Sequence, residues 1–69
     1  MINITELQIA DEVTADLGTS HIEGRITSKM RSSLFDLPTV RIHIPGEAIE
    51  RQFDSTWTFN LVHRPGAAA

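Results

Sequence analysis

Residues 5–18 read Thr-Glu-Leu-Gln-Ile-Ala-Asp-Glu-Val-Thr-Ala-Asp-Leu-Gly, and the structure assigned to this stretch decides the fold class. Thr5 and Gln8 match a capping box, in which a threonine hydroxyl and a glutamine side chain each satisfy a backbone group at a helix start. Gly18 stands where a helix commonly ends in a left-handed residue. The residues between them that recur at helical spacing are Leu7, Ala10, Val13, Thr14 and Leu17. The pattern predicts helix 1 over residues 6–17, with a strand over residues 2–9 as the alternative.

A second helical pattern follows. Ser20 and Glu23 form another capping box, and Pro38 disfavours helix at the residue before it. Gly24 weakens the pattern, because glycine costs about 1 kcal/mol against alanine inside a helix. The apolar stripe with a period of four consists of Ile22, Ile26, Met30 and Leu34. We therefore predict helix 2 over residues 21–35.

The last third of the chain alternates between apolar and polar residues. Pro45 and Gly46 provide a turn, and a two-residue hairpin there places Ile42 opposite Ile49. A three-residue loop over 54–56 then places Phe53 opposite Trp57. The predicted apolar face of this sheet comprises Val40, Ile42, Ile44, Ile49, Phe53, Trp57, Phe59 and Leu61. For residues 47–53 a short helix is the alternative to a strand.

These elements predict an α+β domain over residues 1–64, in which two amphipathic helices cover a three-stranded antiparallel β-meander in the order α-α-β-β-β. Residues 65–69 are interpreted as a disordered tail or a cloning-site scar. A sheet this small leaves open edges, predicted at residues 39–44 or 56–63, that can recruit a partner strand.

Composition narrows the functional classes. The chain has 69 residues, a formal net charge of −3 and no cysteine, so it has room for one core and no thiol chemistry. The sequence shows neither a signal peptide nor a long apolar run, which predicts a cytoplasmic protein that does not insert into a membrane. Short domains often gain stability by self-association, and a homodimer is therefore carried as an alternative.

The acidic residues suggest a binding surface. Asp11, Glu12 and Asp16 lie together on the outer face of predicted helix 1. No catalytic set accompanies them, because the sequence has no strained nucleophile turn, no phosphate-binding glycine loop and no enforced pair of buried carboxylates. We therefore predict a non-enzymatic regulatory or adaptor module without a cofactor, of the accessory or inhibitor kind found in phages and plasmids. It would bind another protein through the acidic face or an open sheet edge.

The alternative function is nucleic-acid binding through predicted helix 2, which carries a local positive charge. The segment resembles a helix-turn-helix over about 20 residues, although Gly24 stands where that motif needs an apolar residue. The candidate nucleic-acid-binding residues are Ser20, His21, Arg25, Ser28, Lys29 and Arg31. The acidic net charge disfavours this alternative.

Two other kinds of site are not expected. The three histidines His21, His43 and His63 are about 20 residues apart, without the close-spaced pair typical of zinc sites. The aromatic residues Trp57 and Phe59 fall on the predicted core face, which disfavours stacking on nucleic-acid bases.

Overall fold

The computed structural model describes residues 1–31 and 37–66, and in these ranges the regular secondary structure is almost entirely β-strand. A single 3-10 turn at Ile4–Glu6 precedes the strands. The strands are β1 (Glu12–Leu17), β2 (Ser20–Arg31), β3 (Pro38–His43), β4 (Arg51–Asp54) and β5 (Thr58–His63). They form one antiparallel sheet in the order β4-β3-β2-β1-β5.

The predicted α-α-β-β-β architecture is wrong. Predicted helix 1 over 6–17 is the end of the 3-10 turn, a connecting segment and β1. Predicted helix 2 over 21–35 is β2 as far as Arg31, and its end at 32–35 lies outside the described residues. The strand alternative over 2–9 is also wrong. Residues spaced by four share a helix face and also share a strand face, so a period of four fits both structures. Pairing of β2 with both β1 and β3 selects the strand.

The hairpin between β1 and β2 turns at Gly18. Its φ of +60° is the left-handed conformation predicted from the sequence, but the glycine follows a strand rather than a helix. Leu17 pairs with Ser20 across this two-residue turn. Tight hairpin turns of this length need positive φ, which glycine adopts without a steric penalty.

The sheet curls so that its two edge strands approach each other at one end. β4 and β5 lie at opposite edges, yet only residues 55–57 connect them. A bulge in β2 between Ile26 and Ser28 adds to the bend. The curled sheet encloses a core of Ile4, Leu7, Val13, Ala15, Ile26, Val40, Ile42, Phe53 and Phe59.

The predicted strand pairings in the last third are only partly correct. Ile42 pairs with Arg51 rather than Ile49, and residues 47–50 form neither strand nor helix. Ile49 is 78% exposed instead of buried. β4 does not pair with β5 in the described sheet, although the Phe53 and Trp57 rings are in contact, edge to face at 4.8 Å. The first predicted hairpin therefore has the correct partner strands, β3 and β4, with the register shifted by two residues. The second had the wrong partner, because β5 pairs with β1 instead of β4.

The burial predictions for this part of the chain are mostly confirmed. Val40, Ile42, Phe53 and Phe59 are buried, while Ile44 and Trp57 pack partly buried against the core. Leu61 remains 39% exposed, against prediction. Of the two predicted open edges, the segment 56–63 is confirmed by the edge position of β5, whereas β3 is central.

The segment before β1 packs against the sheet. Ile2 forms an isolated bridge with Phe59, and Ile4 and Leu7 are buried. The predicted capping box at Thr5 does not form: the Asn3 side chain accepts from the Thr5 N–H, and the Asp11 carboxylate accepts from the Gln8 N–H. None of the described residues belongs to a helix long and apolar enough to cross a membrane.

Candidate functional site

The outer face of the β1–β2 hairpin carries most of the candidate residues. Val13 and Ala15 point into the core, so the alternate residues of β1 point outward. Three cross-strand pairs result: Glu12 with Arg25, Thr14 with Glu23, and Asp16 with His21. We call these six residues the hairpin face. This face could have been found in the sequence, because polar and apolar residues alternate along both β1 and β2.

At one end of the hairpin face, His21 lies between two carboxylates. Its Nδ1 is 2.5 Å from Oδ1 of Asp16, and its Nε2 is 3.7 Å from Oε1 of Glu23. The hydrogen bond and charge of Asp16 raise the pKa of His21 above its ordinary value, with a smaller contribution from Glu23. The charge of the hairpin face therefore depends on the protonation of this imidazole.

We expect the pKa of His21 in the folded protein to lie above 6.5 and to fall when Asp16→Asn removes the carboxylate charge. Because the folded pKa is raised, the interaction stabilises the fold fully at pH values below 6.5, and this contribution is lost as the pH rises through the folded pKa. An NMR titration of the His21 ring protons measures the midpoint. An unchanged midpoint in Asp16→Asn would contradict the assigned cause.

A groove of about 420 Å³ opens beside the other end of the hairpin face. The apolar and small residues that line it are Val13, Gly24, Pro45 and Val62. The polar and charged residues that line it are Glu12, Thr14, Glu23, Arg25 and His43. Within the described ranges neither Glu12 nor Arg25 forms a salt bridge, although the two are cross-strand neighbours. The groove therefore combines the charged residues Glu12, Glu23 and Arg25 with an apolar surface supplied by the exposed residues Pro45 and Val62.

The predicted acidic surface of Asp11, Glu12 and Asp16 is divided by the structure. Glu12 and Asp16 are on the hairpin face, but Asp11 is completely buried. Its carboxylate accepts from Nε and Nη2 of Arg64, each at 2.9 Å, and from the Gln8 N–H at 2.8 Å. The Arg64 hydrogen bond holds the pKa of Asp11 below its usual value. Asp11 therefore joins the segment before β1 to the residue after β5 and is a structural residue.

Sequence reasoning missed this buried pair. Asp11 and Arg64 are 53 positions apart, so no local pattern connects them. Arg64 Nη2 also donates to the Glu6 carbonyl at 3.2 Å. The pair joins the segment before β1 to the residue after β5, a contact that became visible only in the folded structure.

The candidate nucleic-acid residues do not form a recognition helix. All six, Ser20, His21, Arg25, Ser28, Lys29 and Arg31, lie along β2. A strand of this length extends over roughly 35 Å, since each residue rises about 3.3 Å. Lys29 Nζ is directed to the Thr5 carbonyl at 3.5 Å, away from the groove lining. The structure therefore brings only His21 and Arg25 of this set onto the hairpin face.

The histidines are also dispersed. His43 is the cross-strand neighbour of Arg25, and His63 is that of Glu12. Among residues 1–31 and 37–66, no group of three or more histidine, aspartate or glutamate side chains is arranged to hold a metal ion.

Comparison with known proteins gives no further guidance. The chain matches no protein family, and neither a curated protein nor a solved structure is significantly similar to it.

Proposed function

We propose that the chain is a small non-enzymatic binding module that recognises a basic, extended segment of another protein in the groove beside the hairpin face. The observation that carries this proposal is the combination of an apolar lining with Glu12 and Glu23 in one groove. The hydrophobic lining favours burial of a peptide side chain, and the carboxylates favour a lysine or arginine on it.

Arg25 explains why a peptide fits better than a simple cation. Arg25 lines the same groove, and its positive charge would repel a small cation bound near Glu12 and Glu23. A peptide segment satisfies both charges, because its basic side chain pairs with the carboxylates while its backbone carbonyls accept from Arg25. The exposed position of the charges predicts moderate, salt-sensitive affinity rather than tight binding.

The first test is selection of binding peptides from a random peptide library displayed on phage, with the folded chain immobilised. We expect the enriched peptides to contain lysine or arginine near apolar residues. The double variant Glu12→Gln/Glu23→Gln should weaken their binding about five- to thirtyfold at low salt, since two exposed ion pairs are each worth about 0.5–1 kcal/mol.

Glu6→Gln/Glu50→Gln is the matched control, because both glutamates are exposed and neither lines the groove. It removes the same number of carboxylate charges and should leave the affinity unchanged. Equal weakening by both changes would mean that only net charge matters, and enrichment of peptides without basic residues would contradict the proposed partner chemistry.

A further inference from the structure

The second feature that indicates an interaction is the outer edge of β5. This strand ends the sheet, and in the described chain its outer side is bonded only by the Ile2 N–H, which donates to the Phe59 carbonyl at 2.8 Å. Backbone groups of alternate residues in an antiparallel strand point to the same side. Leu61 lies two residues after Phe59 and before the extra residue, Val62, that the register shift between the Val13–Leu61 and Glu12–His63 pairs leaves in β5. Its N–H and C=O therefore also point outward, away from β1.

The side chains at this edge lack the usual protection against strand pairing. From Thr58 to Val62 the strand contains no charged residue and no proline, which are the common devices that prevent edge-to-edge association. Leu61 is 39% and Val62 67% exposed. The opposite edge differs, because β4 begins with Arg51 and ends with Asp54.

We infer that β5 pairs antiparallel with β5 of a second copy of this chain, across a two-fold axis at Leu61. Such an axis pairs Leu61 with its own symmetry mate and Asn60 with Val62 of the second copy, so no two like charges face each other. The Leu61 N–H and C=O of each copy then bond to those of the other. Pairing ends near Phe59, whose carbonyl is already bonded to Ile2. The short ladder predicts a dimer that dissociates on dilution. Its interface includes Val62, which also lines the groove, and sedimentation of the chain without a peptide tests the dimer separately from the proposed function.

The deciding experiment is sedimentation velocity on the full chain and two variants over about 10 µM to about 1 mM. We expect the wild type to dimerise as its concentration rises. Val62→Lys should raise the dissociation constant by about tenfold or more, because it places two ammonium groups at the paired edges. Ile49→Lys makes a similar change at an exposed apolar residue outside β5 and should dimerise like the wild type.

A cysteine cross-link gives an independent readout, since the natural sequence contains no cysteine. Directly bonded residues in antiparallel strands have Cα atoms about 5.5 Å apart, within the range of a disulfide. Leu61→Cys should form a covalent dimer on oxidation, whereas Ile49→Cys should not. The inference is overturned if the wild type stays monomeric, or if Val62→Lys and Ile49→Lys have the same dimer dissociation constant. It is also overturned if Leu61→Cys and Ile49→Cys form covalent dimers to the same extent.

Discussion

Replacing Asp11 with alanine is expected to lower the free energy of unfolding by about 2–4 kcal/mol. The substitution removes the acceptor of two Arg64 hydrogen bonds and of the Gln8 N–H. Asp11 is fully buried, while the Arg64 side chain keeps 29% of its exposure and can partly rehydrate. The loss should therefore fall toward the lower part of the range for a broken buried pair. Urea denaturation of both proteins at neutral pH measures it.

The pH dependence provides a second readout. Because the folded pKa of Asp11 is lowered, its contribution is present above the ordinary value of 3.8 and is lost as the pH falls through the folded pKa. The stability difference between wild type and Asp11→Ala should therefore narrow in acid. Glu50→Ala is the control, since an exposed carboxylate should change stability by less than about 0.5 kcal/mol. A similar small change for Asp11→Ala would contradict the structural role.

Replacing Gly24 with alanine is expected to destabilise the protein by about 2–3 kcal/mol through overcrowding between β2 and β3. A methyl group at Gly24 would lie 2.5 Å from the His43 carbonyl oxygen and 3.2 Å from its carbonyl carbon. It would also contact Ile42 Cγ2. The side chain could move, but the His43 backbone belongs to a paired strand, so the two strands must separate. Thermal or urea unfolding measures the loss.

Gly18→Ala is the control variant, because it tests the loss of glycine's conformational freedom at a position without steric crowding. Gly18 has φ +60° and no atom within 4 Å of an added methyl group, whereas Gly24 does not have a positive φ. We expect Gly18→Ala to cost about 1–2 kcal/mol from strain alone. At Gly24, the additional change Ile42→Ala should not restore stability, because the contact with the His43 carbonyl remains. Wild-type stability in Gly24→Ala would show that the strands are not packed this closely.

The error in fold class has a physical cause in β1 and β2. Ile22 and Ile26 are four residues apart, which places them on one face of either a helix or a strand. The alternation of Glu12, Thr14 and Asp16 with Val13 and Ala15 favoured a strand, but the capping patterns and Gly18 favoured a helix. Local patterns could not decide between the two, because the energy that selects the strand comes from pairing partners elsewhere in the chain.

The candidate site was predictable only in part. The acidic residue Glu12 is exposed and Asp16 partly exposed, and both lie on the outward side of β1. The β1–β2 register was required to place Glu12 with Glu23 and Arg25 in one groove, and to place Asp16 opposite His21 outside it. Asp11 looked equivalent to Glu12 in sequence, since both are acidic and adjacent. Only its burial beside Arg64 distinguishes a structural carboxylate from one available to a partner.

By itself, the sequence determined features that depend on residue chemistry and on nearest neighbours. These include the burial of Val40, Ile42, Phe53 and Phe59, and the left-handed turn at Gly18. The tertiary structure decided the strand identity of residues 12–17 and 20–31, the separation of β4 from β5, and the Asp11–Arg64 pair. The reason is sequence distance: Val13 pairs with Gly24 on one side and Leu61 on the other, and contacts of the latter kind leave no periodic pattern in the chain.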